Sequence, residues 1–318
     1  MKVRLAKTAG FCYGVQRAVD AVYSELEKDK RKIYTYGPIV HNETVISELE
    51  ARGVGIIPGR EELERLCLYS SGKADAGTKM ENGREMKKAG SGKAEDCSFD
   101  GPLSSATVII RAHGVSAEEE QMLKASGAEI IDATCPFVKK IHKIVKEHYA
   151  AGEHIIVTGS REHPEVAGIL GQINNDAVVI GSAEEAENLD LSETGKYCLV
   201  SQTTFSVQKF KDIVDIFSKK RYIVNVVNTI CNATQMRQEE ALALSGECDA
   251  MIVIGGKNSS NTAKLYDICR KLCEATYYIQ SSAELEGMLD SSVRCVGITA
   301  GASTPKSIIE EVVGICQR

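Results

Sequence analysis

HIIVTGSREHPE (154–165), YCLVSQTTFS (197–206) and NTICNAT (228–234) decide the reading of the fold. The first two are apolar, β-rich runs that break into polar loops; the third ends a strand at a cysteine. Between and around them lie amphipathic segments such as Phe137–Tyr149 and Val207–Phe217, with apolar residues at i, i+3 and i+4. AVVI (177–180) and the helix-like SAEEAENL (182–189) fill the middle. Strands alternating with helices in this way predict a parallel α/β fold.

Outward in both directions the same order recurs. One unit reads strand, polar loop, helix, strand, helix, strand, second polar loop, helix, and a last strand ending at cysteine. Upstream, IYTY (33–36) and TVIIR (107–111) are followed by the loops YGPIVHNET (36–44) and RAHGVS (111–116), and DATCP (132–136) is the end. Downstream, MIVIGG (251–256) and VRCVGIT (293–299) are followed by GGKNSSNT (255–262) and TAGAST (299–304). The central helix is echoed by REELERL (60–66) and SAELEGML (282–289). Val15–Leu26 and Thr262–Cys273 are further predicted helices.

The third copy reaches Arg318 before its last strand and cysteine. The N-terminal VRLAKTAG (3–10), leading to Cys12, has the form of the missing piece. The predicted architecture is a trefoil of three pseudo-threefold-related α/β units, 14–135, 136–230, and 231–318 with 1–13. Three strand-end loops and three cysteines would then meet at one centre, where open α/β sheets bind ligands. His163 to Thr203 spans 40 residues and His41 to His113 spans 72, so the first unit carries an insertion. It falls in 68–105, rich in Gly, Ser, Lys and Glu, and reads as a mobile surface loop flanked by Cys67 and Cys97.

Bulk properties narrow the function. A net charge of -6 argues against a nucleic-acid binder. No signal-peptide core and no run near the ~20 apolar residues of a membrane span are visible, so a cytoplasmic protein is expected. Eleven cysteines, odd in number and irregularly spaced, do not suit a disulfide framework.

A lone cysteine at a strand end is more often packing than ligand. Cys12, Cys135 and Cys231 differ in sharing one position within the repeat, beside Gly, Pro or Thr. Three thiolates leave one iron of a four-iron cluster without a cysteine, open to a substrate oxygen. Zinc would need a fourth ligand or water and does no redox chemistry. Cys269 and Cys273, at i and i+4, have a spacing that suits a metal, but packing is the simpler reading. His41, His113 and His163 lie in polar loops; His142, His148 and His154 lie on regular elements and read as surface or structural. KNSSN (257–261) and GASTP (301–305) each lead into a helix, a ready anion site, and with two loop histidines facing them they suggest a di- or polyphosphate. Glu165, after Pro164, is the leading acid candidate for a proton-requiring reduction. Thr203 and Thr204 could orient a substrate hydroxyl.

GFCYGVQRA (10–18), DATCPFV (132–138), NTICNAT, RAHGVS, EHPEVAG (162–168), SQTTFS, KNSSN and GITAGAST (297–304) together resemble the motifs of the 4-hydroxy-3-methylbut-2-enyl diphosphate reductase (LytB) family, in its order and over all the chain but the insertion. The resemblance implies a trefoil around a [4Fe-4S] cluster on Cys12, Cys135 and Cys231. It implies a diphosphate held by His41, His113, Ser259, Ser260, Asn261 and Ser303. Glu165 would deliver the proton, with His163 and Thr203 touching the substrate or its proton path. The implied reaction is a two-electron dehydroxylation giving isopentenyl and dimethylallyl diphosphates, the last step of the methylerythritol phosphate route. An electron donor such as ferredoxin or flavodoxin follows, and with it an expected local Lys/Arg patch near the cluster. Quinolinate synthase, also three-unit and three-cysteine, would not require the SQTTFS, EHPE and KNSSN set; a cluster-bearing sensor would not need the diphosphate loops.

Overall fold

A computed structural model describes residues 1–28, 31–70, 103–290 and 292–317. The chain opens with β1 (Lys2–Leu5) and α1 (Tyr13–Leu26). Then follow β2 (Lys32–Tyr36), α2 (Glu43–Ala51), β3 (Gly55–Ile57), α3 (Arg60–Ser70), a 3-10 turn (Leu103–Ser105), β4 (Ala106–Ile110), α4 (Ala117–Ala125) and β5 (Glu129–Asp132). After α5 (Pro136–Ala150) come β6 (His154–Thr158), α6 (Pro164–Leu170), β7 (Ala177–Ile180), α7 (Ala183–Asn188), β8 (Lys196–Ser201), α8 (Val207–Lys219) and β9 (Ile223–Val226). After α9 (Asn232–Ser245) come β10 (Ala250–Ile254), α10 (Ser260–Arg270), β11 (Thr276–Ile279), a 3-10 turn (Ser282–Leu285), β12 (Cys295–Ala300) and α11 (Lys306–Cys316).

The strands form three four-stranded sheets with one repeated order: β3-β2-β4-β5, β7-β6-β8-β9 and β11-β10-β12-β1. Every pairing is parallel, and β1 takes beside β12 the place that β5 and β9 take beside β4 and β8. The N-terminal strand therefore completes the sheet that the C-terminal segment begins. Inner strands such as ATVII and AMIVI are buried at every position, because parallel sheets are covered by helices on both faces. Apolar clusters lie on either side of each sheet: Ile252, Ile298 and Val312 on one face of the third, and Met251, Val253 and Leu265 on the other.

Several elements depart from the expectations, each for a local reason. The strand expected over 3–10 stops at Leu5, and Gly10 has φ +97° in the loop that follows. SAELEGML forms only the 3-10 turn Ser282–Leu285, cut short by Gly287 at φ +74°. The helix expected over Thr262–Cys273 starts earlier, at Ser260, because Ser259 caps it, and ends at Arg270. Of the insertion at 68–105, the first three residues continue α3 and the last three form the 3-10 turn; the rest, Cys97 included, lies outside the described residues. Cys67 packs on the cluster around Leu63 and Leu66.

Candidate functional site

Cys12, Cys135 and Cys231 are held by one device used three times. Each is the N-cap of a helix, α1, α5 and α9. Each carbonyl accepts the first helical hydrogen bond, from Gln16, Lys139 and Gln235, at 2.9, 3.0 and 3.0 Å. Each amide donates to the loop after the neighbouring inner strand, at Ala302, Ala112 and Thr203, at 3.2, 2.9 and 3.0 Å. The short path from strand to helix is thus fixed at both ends, and all three cysteines line one pocket.

None of the three sulfurs caps its own helix, and all three are free thiols. Each stands at a helix N-terminus, where the aligned backbone dipoles amount to roughly half a positive charge. Burial pushes the Cys135 and Cys231 thiols up; the amides of Phe137 and Val138, and of Ala233 and Thr234, pull them back. A metal group on these thiols would displace their protons. Two residues that the motifs did not single out shape this end of the pocket. A Cβ on Gly14 would lie 2.6 Å from Cys135 Sγ, so only glycine leaves that sulfur its room. Arg237 is 4% exposed and donates from Nη2 to Gly10 O at 2.9 Å, while its Nε and Nη1 have no partner among the described residues. Burial lowers its pKa and the Cys12 and Cys231 sulfurs raise it, which places a buried cation beside two of the thiols.

The same pocket is lined by His41, His113 and His163, with ring centroids 4.6, 5.3 and 5.6 Å apart. Burial holds all three neutral at pH 7: His163 is lowered to about 3, His113 lies well below its usual value, and His41 is lowered too. His163 Nδ1 accepts from Glu165 N at 3.1 Å, so its proton sits on Nε2. His41 Nε2, His113 Nδ1 and Asn261 Nδ2 are buried with no partner among the described residues. Ser259 Oγ accepts from Thr262 N and Oγ1, at 3.3 and 2.9 Å, and Ser260 Oγ accepts from Lys264 Nζ and Thr204 Oγ1, at 2.8 and 3.4 Å. A hydroxyl has two lone pairs and one proton; with both pairs used, each serine can only donate. Ser303 donates to His41 O at 3.1 Å, joining the third unit's loop to the first's. Three clustered imidazoles can also hold a cation. The donors beside them favour an anion.

Glu165, 1% exposed at the start of α6, accepts from Thr203 N and Thr203 Oγ1, both at 2.6 Å. Burial raises its pKa; the two Thr203 bonds and the charge of Lys264 oppose this without overcoming it. It lines the same pocket as the cysteines and histidines. All thirteen residues singled out from the sequence as ligands, substrate contacts or acid, Thr204 among them, therefore meet in one place. Those set aside stay outside it: Cys269 and Cys273 point at carbonyls within a core cluster, at 3.8 and 3.6 Å to the nearest. His148 pairs with Glu153 at 2.9 Å, and His142 is buried and lowered to about 4.

The lowered histidines have a measurable consequence. The unfolded chain takes up protons near pH 6.5 that the folded pocket refuses, so stability falls as pH drops from 6.5 towards 3–4. The raised Glu165 works in the opposite sense, losing its contribution as pH rises. His142→Asn, away from the pocket, should remove about 1.4 kcal/mol per pH unit of this acid sensitivity. Urea midpoints at pH 7 and pH 5 read the difference; equal slopes in both proteins would contradict it.

Among the described residues no helix is long and apolar enough to cross a membrane. A family model described as LytB protein matches residues 3–317. A relative from Caldanaerobacter subterraneus subsp. tengcongensis, named 4-hydroxy-3-methylbut-2-enyl diphosphate reductase, is 42% identical over 98% of this chain and 96% of its own. One of the same name from Clostridioides difficile is 38% identical over 98% of each. A solved structure titled as (E)-4-hydroxy-3-methyl-but-2-enyl diphosphate reductase, the terminal enzyme of the non-mevalonate pathway, matches with TM-score 0.64 and 35% identity over 100% of this chain and 99% of that one. The Plasmodium falciparum reductase matches with TM-score 0.83 and 26% identity, over 100% and 88%. With its sheets, its three anchored cysteines and its full length matched, the chain belongs to the LytB family.

Proposed function

We propose that this protein is an iron–sulfur oxidoreductase that removes the hydroxyl of (E)-4-hydroxy-3-methylbut-2-enyl diphosphate, yielding isopentenyl and dimethylallyl diphosphates. One observation carries the reading: a buried acid, Glu165, opens on a pocket lined both by three thiols at helix N-termini and by buried hydrogen-bond donors that have no partner among the described residues. Cys12, Cys135 and Cys231 would hold a [4Fe-4S] cluster, and the room at Gly14 and the buried Arg237 charge suit a bulky anionic group. When bound, the cluster would relay the two electrons, one at a time, from an external donor and supply a Lewis-acidic iron that no cysteine ligates.

The chain's own part is to bind, aim and protonate. Ser259, Ser260, Asn261, Ser303, His41 and His113 take the diphosphate, fixing the allylic end by its charged tail. Thr203 and His163 orient the hydroxyl end and Glu165. Glu165 gives its proton to the departing hydroxyl, which leaves as water; a second proton reaches carbon. Two electrons and two protons are consumed, so an external donor such as ferredoxin or flavodoxin is required. Exposed Tyr13, Phe137, Lys139 and Lys140 follow the cysteines closely and are where it would dock. Lys140→Glu should slow the donor-dependent rate at low salt; an unchanged rate would remove this role. The unit boundaries 14–135, 136–230 and 231–318 with 1–13 suit the three sheets, and a cytoplasmic setting suits an oxygen-labile cluster fed by a protein reductant. Anaerobically reconstituted protein, given substrate and a chemical reductant, should yield both products. A full cluster without substrate consumption would overturn the assignment.

A further inference from the structure

We propose that Lys264 supplies the positive charge for the bound diphosphate and aims the Ser260 hydroxyl at it, as a positioning residue; this rests on the function proposed above. Ser260 opens α10 and Lys264 follows one turn later on the same face. Lys264 Nζ donates to Ser260 Oγ at 2.8 Å, and Thr204 Oγ1 approaches the same oxygen from the second unit. With both lone pairs engaged, the only hydrogen bond Ser260 has left to make is the one it donates.

The charge balance points the same way. The residues that meet the diphosphate in this reading are serines, an asparagine and histidines held neutral by burial. A di- or trianion among neutral donors in a sheltered pocket needs a cation. Arg111, whose charge reaches all three histidines, is shared with Tyr36 and Glu119, and Arg237 lies beside the thiols. Lys264 stands at the serine loop, its ammonium 5.4 Å from the centre of the Phe205 ring, and makes no ion pair among the described residues. Burial lowers its pKa to about 8, which leaves it mostly charged at pH 7. Glu165 is the carboxylate that acts most on it, and burial favours the neutral form of that acid.

The test uses the anaerobically reconstituted full chain and inorganic pyrophosphate as the calorimetric probe, beside steady-state kinetics. Lys264→Met should weaken pyrophosphate about 10- to 100-fold and raise KM for the allylic diphosphate similarly, with kcat changed less. Lys264→Arg should restore most of both. Ser260→Ala should cost less in the Lys264→Met background than alone, because the two act through one hydroxyl; Lys264→Gln serves if the Met variant does not fold. Wild-type affinity in the folded Met or Gln variant would overturn the proposal. Failure of the wild-type protein itself to bind pyrophosphate would instead overturn the diphosphate site on which it rests.

Discussion

Replacing Glu165 with glutamine is expected to lower turnover by about 10²- to 10⁴-fold, the usual contribution of a positioned acid. Glutamine matches the volume, can accept from Thr203 N and can pair with Thr203 Oγ1, so the start of α6 should be undisturbed. Diphosphate affinity should persist, since the donors that bind it lie in other loops, and so should iron content. The variant separates proton delivery from binding. It should also lose a feature of the pH profile: in the wild-type protein the rate should fall as pH rises through the raised pKa of Glu165, as expected of an acid that acts in its protonated form. Unimpaired turnover, or an unchanged basic limb, would remove Glu165 from its role.

The second large effect is expected at the cysteines. Cys135→Ser should bring iron to background and abolish turnover, as should the same change at Cys12 or Cys231, because the three are anchored alike. Cys269→Ala should keep both, since that sulfur points at Ala241 O inside a core cluster. Gly14→Ala is the graded companion. In a helix the change is ordinarily favourable by about 1 kcal/mol, but here the new methyl would sit 2.6 Å from Cys135 Sγ. Thermal stability of the iron-free chain should be unchanged or slightly higher while iron per chain falls. Wild-type iron content in Gly14→Ala would show that Cys135 has more freedom than the structure gives it.

The repeat was legible because it is written in strong signals: β-rich runs, loops of fixed order and cysteines at one position. That is why the first strand could be assigned to a sheet whose other three strands lie more than 240 residues downstream. Arg237 and Lys264 were not legible, for a shared reason. Each lies on a helix whose first turns bury polar side chains: Thr234, Arg237 and Gln238 on α9, Asn261 and Thr262 on α10. Hydrophobic periodicity looks for apolar stripes and passes over a polar face turned inward. The i, i+3, i+4 spacing of Thr234, Arg237 and Gln238 continues into Ala241 and Leu244, so position rather than residue type held the signal. Gly14 escaped because its reason is a contact with Cys135, more than a hundred residues away in the chain.

The central claim is that three cysteines hold a four-iron cluster with one iron left facing the diphosphate cradle. Mössbauer spectroscopy of protein reconstituted anaerobically with ⁵⁷Fe, with and without the allylic diphosphate, tests it most directly. One iron should differ from the other three and should alone shift when substrate is added. Four equivalent irons, indifferent to the substrate, would contradict the account.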